Sequence, residues 1–348
     1  MSSRLDFRLK EKDNLHNIRG GNMKPRVFIT RLIPDIGIKK LQEVAEVKVW
    51  SGELPPPREV LMQEVKEVDG LVSLLTDKID GELMDAGKNL KVISNYAVGF
   101  DNIDLDAATQ RGLLVTNTPG VLTETTADLA FALLLATARS VVWADKFTRE
   151  GKWKTWEPLK FLGQDIYGAQ LGLLGFGRIG CAVAKRARGF DMKVKYYDLF
   201  RNEQAEKELG VEYASIDEIL TQSDFISLHV PLTKDTRHLI NKDSLKKMKK
   251  NAVIINTARG PIINEDDLYE ALVNGTIWAA GLDVMDPEPP RADHPLFKLD
   301  NVIVLPHIAS ASIATRNKMA LMAAENMIAG LRGEIPPNLV NTGVLRNN

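Results

Sequence analysis

Leu171-Gly172-Leu173-Leu174-Gly175-Phe176-Gly177-Arg178-Ile179-Gly180 is the stretch whose reading decides the fold. With Ala169 and Gln170 before it, the apolar run reads as a short strand that passes directly into G-x-G-x-x-G. A helix is expected next, with Ile179, Ala182, Val183 and Ala187 on one face. Strand, glycine turn and helix in that order form a cradle for a dinucleotide pyrophosphate. Gly175 permits the tight turn, Gly177 lets the backbone approach a phosphate, and Gly180 lets the helix lie close to the strand. The first N–H groups of the helix then face the anion. Phe176 and Ile179 belong to the same loop; Arg178 either faces the pyrophosphate or is a solvent-exposed helix-start residue.

The next strand, Val194-Lys195-Tyr196-Tyr197, ends in Asp198, 23 residues after Gly175. That is close to the ~20 residues expected for an acid that accepts hydrogen bonds from the adenosine ribose hydroxyls. Asp198, followed by Leu199 and Phe200, is therefore placed beside the ribose. A carboxylate there repels a 2′-phosphate, so NADH is expected to be preferred over NADPH. Arg201 could soften the preference by turning toward the phosphate.

Outward from this loop, short apolar runs alternate with amphipathic segments in two blocks, the pattern of parallel sheets covered by helices. The first block holds Val27–Ile29, Val47–Val49, Gly70–Leu74, Val92–Ser94 and Leu114–Thr116, with helical stretches such as Gly37–Val44 and Arg58–Val65 between them. Leu54-Pro55-Pro56-Pro57 is a stiff loop inside that block. Leu122–Arg139 reads as a helix apolar on nearly every side, which must be covered either between domains or at a subunit contact. The second block runs from Leu171 to about Val304. Ser312–Arg332 closes the chain as one long helix, with Met319, Met322, Met327, Ile328 and Leu331 toward the core. The fold class expected is α/β, with two Rossmann-like domains built on parallel sheets.

The 348 residues suit two domains, and a formal net charge of −1 with interspersed signs gives no footprint for nucleic acid or an anionic membrane. The lysines at 242, 246, 247, 249 and 250 fit a solvated helix end. No apolar run approaches the ~20 residues of a membrane-spanning helix. Cys181 is the only cysteine, so no intrachain disulfide can form and a reducing cytoplasm is the expected compartment. No metal is expected. Residues 1–22 are polar and lack the apolar core of a secretory signal, so they are expected to be a disordered extension or to precede a native start at Met23.

Further strands end in polar residues, where a doubly wound sheet places its ligands. Phe225–Leu228 leads into His229-Val230-Pro231, Val253–Ile255 into Asn256-Thr257-Ala258-Arg259-Gly260, and Ala279–Leu282 into Asp283. His229 reads as structural or as an edge of the cofactor site. Arg259, Glu288 (in Asp286-Pro287-Glu288-Pro289) and His307 (in Pro306-His307-Ile308) open loops in the last part of this block. Together they are the residue types that reduction of a 2-keto acid requires, although singly they also read as a surface arginine, a loop acid and a capping histidine, and spacing alone does not assemble them. An arginine fork holds the carboxylate, a histidine delivers the proton, and a carboxylate behind the histidine orients its ring.

The chain resembles the D-isomer-specific 2-hydroxyacid dehydrogenase family, and within it the archaeal-type glyoxylate reductases. The resemblance covers residues 23–342. It rests on Asn95-Tyr96-Ala97-Val98-Gly99-Phe100-Asp101-Asn102-Ile103-Asp104, Thr116-Asn117-Thr118-Pro119, Thr126-Ala127-Asp128-Leu129-Ala130, the glycine loop, the three segments above and Gly333-Glu334-Ile335-Pro336-Pro337. It implies that Arg259 anchors substrate, that Glu288 pairs with His307, and that His307 is the general acid/base. It also implies that the Val98 and Gly99 N–H groups take the substrate carboxylate. Phe176 to Ile179, Asp198, Thr257, Ala258, Arg259 and Asp283, with Val230, Pro231 and Thr126 beside them, are implied as cofactor contacts.

A flavodoxin-like substrate domain (23–120 with 306–342) interrupted by an NAD-binding domain (121–305) is implied, with a site in the cleft between them. A homodimer is implied too, held through Leu122–Arg139 and the segment with Trp153 and Trp156. Glyoxylate, and hydroxypyruvate beside it, are the substrates implied; D-lactate or D-3-phosphoglycerate oxidation is the alternative within the same chemistry. A formate dehydrogenase is disfavoured by the presence of Glu288, and an NAD-sensing corepressor is the alternative outside catalysis.

Overall fold

The computed structural model describes residues 24–346; the expected leader 1–22 and the start at Met23 lie outside the described residues. By its contacts the chain forms two compact units, one running to Pro119 and resuming at Asn317, the other Gly120–Arg316.

In the first unit, β1 (Arg26–Ile29), β2 (Glu46–Val49), β3 (Gly70–Ser73), β4 (Val92–Asn95) and β5 (Leu114–Thr116) form a parallel sheet in the order β2-β1-β3-β4-β5. This is the flavodoxin-like order. β3 and β4 are buried along their whole length, as parallel strands covered on both faces must be. The chain returns to this sheet at its end. Ser94 Oγ donates to Ala323 O at 2.9 Å, and Leu339 bridges Thr116. In the closing helix, Ile313–Leu331, Met319, Met327, Ile328 and Leu331 are buried, whereas Met322 is only half-buried.

The second unit carries β6 (Gln170–Leu174), β7 (Lys193–Tyr197), β8 (Glu212–Tyr213), β9 (Phe225–Leu228), β10 (Val253–Asn256), β11 (Ala279–Leu282) and β12 (Val302–Val304). All pair in parallel, in the order β12-β11-β10-β9-β6-β7-β8. The strand order reverses at β6, between β7 and β9, the switch point at which such sheets bind ligands.

The apolar helix Thr123–Ala138 buries one face on its own unit's sheet, with Leu133 and Thr137 against Gly281 of β11 near Ile255 of β10. On its other side Asp128 and Ala132 are exposed and Leu129, Leu135 and Ala136 half-buried. The second compact unit runs on past β12 to Arg316. The cause is local: the chain after β12 stays bonded to the end of β11, with Leu305 N–H donating to Leu282 O and His307 N–H to Asp283 O.

Candidate active site

The glycine loop follows from the pairing of β6 with β7. Their register sets Leu174 opposite Tyr197, so Gly175 N–H reaches Tyr197 O at 2.9 Å and the next residues on both strands meet. Phe176 N–H then donates to Asp198 Oδ2 at 2.6 Å. Gly175 has φ +96° and lies against the His229–Val230 backbone, where any Cβ would collide. Gly177 caps the helix Arg178–Ala187, and no side chain bonds to the helix's first N–H groups. Gly177 and Arg178 are exposed, Ile179 is half-buried, and Phe176 and Gly180 are buried.

An open pocket beside the loop is lined by Phe176, Gly177, Asp198, Phe200 and Arg201. Leu199 and Phe200 are exposed around it. Arg201 is held by Glu206 through two bonds of 2.8 and 2.9 Å, and Tyr196 Oη donates to the same carboxylate at 2.6 Å. Hydrogen bonds from Arg201 and Tyr196 draw Glu206 down to about 2, so it is ionised at neutral pH. This loop, with its exposed helix start and a carboxylate at the end of the neighbouring strand, fits a dinucleotide. A buried hydroxyl with no protein partner, Thr257 Oγ1 after β10, is a further polar group suited to one.

Arg259, Glu288 and His307 follow β10, β11 and β12, three adjacent strands, and all belong to the second unit. Asn256 shapes the first loop: its Oδ1 accepts from Ala258 N at 3.0 Å and its Nδ2 donates to Arg259 O at 2.8 Å. Arg259 Nη1 donates to Ala258 O at 2.7 Å. Gly260 lets this loop press on the Met285–Asp286 backbone, where a Cβ would overlap the Met285 carbonyl. Arg259's loop thus lies on the segment that leads to Glu288. Glu288 Oε1 accepts from Met285 N at 3.1 Å, and Oε2 lies 2.8 Å from His307 Nδ1. The Nε2 edge of His307 is left for another partner.

His307 itself has φ +53°, a left-handed conformation that costs a non-glycine residue about 1–2 kcal/mol. Asp283 holds it there. Its carboxylate, buried after β11, accepts Ile308 N and Ala309 N at 2.8 Å each, and its carbonyl accepts His307 N at 2.9 Å. Burial raises the Asp283 carboxyl above its ordinary value, although both backbone donors pull the other way.

Residues 131–309 match the family model described as D-isomer specific 2-hydroxyacid dehydrogenase, NAD binding domain. A glyoxylate reductase from Korarchaeum cryptofilum (strain OPF8) is 56% identical over 325 residues, 93% of this chain and 98% of that protein. The chain belongs to the D-isomer specific 2-hydroxyacid dehydrogenase family. Solved structures similar to this dehydrogenase include the TT0316 protein from Thermus thermophilus, with TM-score 0.86 and 47% identity over 90% of this chain and 99% of that one. An NADPH-dependent glyoxylate/hydroxypyruvate reductase from Sinorhizobium meliloti, in complex with citrate, has TM-score 0.80 and 33% identity over 92% and 99%.

Other residues singled out in this dehydrogenase's sequence are more dispersed. Val98 and Gly99 are half-buried on the turn after β4, in the first unit. Thr126 is buried in the first turn of Thr123–Ala138, and Val230 and Pro231 lie on the loop after β9. His229 bonds Ser227 Oγ at 2.9 Å, and burial lowers its imidazole to about 4, so it is neutral at pH 7. Sequence reasoning missed Asp283 as the support of the His307 loop. It also missed Glu265, whose Oε1 accepts Asp286 N at 2.8 Å on the loop of Glu288. Neither has a motif; each acts on residues about twenty positions away in sequence.

Proposed function

We propose that this dehydrogenase reduces glyoxylate, and hydroxypyruvate beside it, using NADH in preference to NADPH. The observation that carries the reading is the His307 Nδ1–Glu288 Oε2 pair at 2.8 Å, on strands next to the one that ends in Arg259. Relatives named glyoxylate reductase at 50–56% identity support the substrate.

A bound nicotinamide supplies the hydride. The glycine loop from Gly175 to Gly180 would hold the pyrophosphate on the helix's N–H groups, and Asp198 would take the ribose hydroxyls. Thr257, Ala258, Val230, Pro231, Leu199, Phe200 and Thr126 are assigned to the same cofactor. Asp283 supports the His307 loop and is retained as a cofactor contact.

The substrate carboxylate is bound by Arg259, whose planar fork matches two oxygens, and by the N–H groups of Val98 and Gly99. Glu288 accepts the Nδ1 proton of His307 and so fixes the ring. Nε2 then gives its proton to the carbonyl oxygen on reduction and recovers one on oxidation. NADH preference is supported by Asp198 at the pocket and by Glu206, which occupies the guanidinium of Arg201.

The protein is assigned to the cytoplasm as a homodimer. Among the described residues no single helix is long and apolar enough to cross a membrane. Domain roles follow the two units, substrate binding in the first and NAD binding in the second. Initial rates with glyoxylate, hydroxypyruvate, pyruvate and 3-phosphohydroxypyruvate, each with NADH and NADPH, test the reading. Glyoxylate with NADH should give the highest kcat/KM. A higher value for pyruvate or the phosphorylated acid would reassign the substrate, and binding of NADH without turnover of any would make the protein a sensor.

A further inference from the structure

The turn that follows β4 is held at its Ala97 and Val98 carbonyls by the 117–118 segment, and at its Gly99 carbonyl by Asn95 Nδ2 at 2.8 Å. Asn117 Nδ2 donates to Val98 O at 2.7 Å, and Thr118 N donates to Ala97 O at 2.8 Å. The peptide bonds joining Ala97, Val98 and Gly99 are trans, so the carbonyl and the N–H of each unit point in opposite directions. The Ala97 carbonyl shares its peptide with Val98 N–H, and the Val98 carbonyl shares its peptide with Gly99 N–H. Anchoring both carbonyls on the 117–118 segment therefore turns both N–H groups the other way, side by side. Among the described residues neither N–H has a protein partner. Successive N–H groups aimed at one point form an anion nest.

Asn117 is itself held at both its backbone N–H and its carbonyl. Its N–H donates to Asn338 O at 3.3 Å, and its carbonyl accepts from Nδ2 of Asn326, a fully buried residue of the closing helix, at 2.9 Å. Asn326 Oδ1 in turn accepts from Asn338 N at 3.2 Å and Asn338 Nδ2 at 3.1 Å. The Asn117 amide is thus placed by the chain's C-terminal segment and spends a donor on one carbonyl of the turn. A hydrophobic residue of the same shape would fill the space, but it would remove the one bond that holds the Val98 carbonyl and so loosen the Val98–Gly99 peptide.

We infer that Asn117 is a positioning residue for substrate: by holding the Val98 carbonyl it aims Gly99 N–H, and with it the nest, at the carboxylate of the 2-keto acid. This rests on the reading that Val98 and Gly99 take that carboxylate. The test uses the full-length protein with NADH and oxalate, a dianion that cannot be reduced. In the wild type labelled with ¹⁵N-valine and ¹⁵N-glycine, the Val98 and Gly99 amide protons should move downfield on oxalate binding. Asn117→Leu should raise the oxalate Kd and the glyoxylate KM about tenfold, leave kcat within about threefold, leave the NADH Kd unchanged, and shrink the Gly99 shift. Asn117→Ala, which adds no bulk, should do the same if the leucine variant does not fold. Wild-type amides that respond to oxalate, with an unchanged oxalate Kd in the variants, would overturn the role of Asn117 alone. Wild-type amides that do not respond would overturn the carboxylate reading, and the inference with it.

Discussion

His307 is held in a conformation that its backbone disfavours, by an aspartate that bonds the two residues after it. The Nδ1 edge of the ring meets Glu288, and the proposed proton transfer falls to Nε2. His307→Ala should lower kcat for glyoxylate reduction by about 10²–10⁴, the usual contribution of a positioned acid, and leave NADH binding within a few fold. Stopped-flow single turnovers with a separate NADH titration would check this, and a near-normal rate would remove His307 from the role. Arg259→Lys keeps the charge but loses the fork, so KM for the keto acid should rise and kcat fall together. A lysine variant with normal kcat/KM would mean the carboxylate is held elsewhere. These residues stood out as candidates in the sequence because their chemistry is what the proposed reaction demands. The left-handed φ of His307 was not, since nothing in Pro306-His307-Ile308 requires it without Asp283.

At the scale of elements, the pairing of β6 with β7 sets which residues border the glycine loop. The register that joins Gly175 N–H to Tyr197 O also brings Asp198 to the glycine loop. The helix that starts at Glu203 contributes Glu206, which engages Arg201. Kinetics with both cofactors should therefore give NADH at least about tenfold in kcat/KM over NADPH, with Asp198→Ser narrowing the gap. Equal use of both by the unaltered enzyme would show that Asp198 does not read the ribose.

The loop between β11 and β12 yields a second expectation at this scale. Burial, reinforced by the charges of Asp286, Asp266 and Glu288 and opposed by the Asp286 N–H, pushes the Glu265 carboxyl from 4.5 up to about 7. The folded protein then keeps a proton that an unfolded glutamate has released. This contribution to stability is complete below about pH 4.5, declines as pH rises to about 7 and is level beyond. Glu265→Gln, which retains an oxygen for Asp286 N–H, should flatten that decline in urea midpoints measured from pH 5 to pH 8. Parallel declines in variant and wild type would exclude Glu265 as the source. The sequence marked the strands here by their apolar runs, but a lone glutamate in Asn264-Glu265-Asp266 looks like any helix-start acid.

For the whole molecule, the segment 141–167 presents Trp153, Trp156, Leu159, Leu162 and Tyr167 to solvent, with Trp156 and Leu159 about four-fifths exposed. The proposed homodimer would cover these exposed apolar side chains. Light scattering should give twice the chain mass for the wild type and the single mass for Trp156→Asp with Leu159→Asp; a monomeric wild type would exclude the dimer. The α/β class, the two blocks of strands, the dinucleotide loop and the residue types for keto-acid chemistry were all determined by sequence alone. Each is a local constraint: the period of apolar residues, the spacing of glycines, the pKa range of an imidazole. Tertiary structure alone decided that β10, β11 and β12 lie side by side and so gather Arg259, Glu288 and His307. It also decided that Thr123–Ala138 lays one face on its own sheet, that Asp283 bends the His307 loop, and that Asn326 places Asn117 beside Val98. Those arrangements join residues from about twenty to more than two hundred positions apart, and such pairings are fixed by sheet order and packing, which no local pattern encodes.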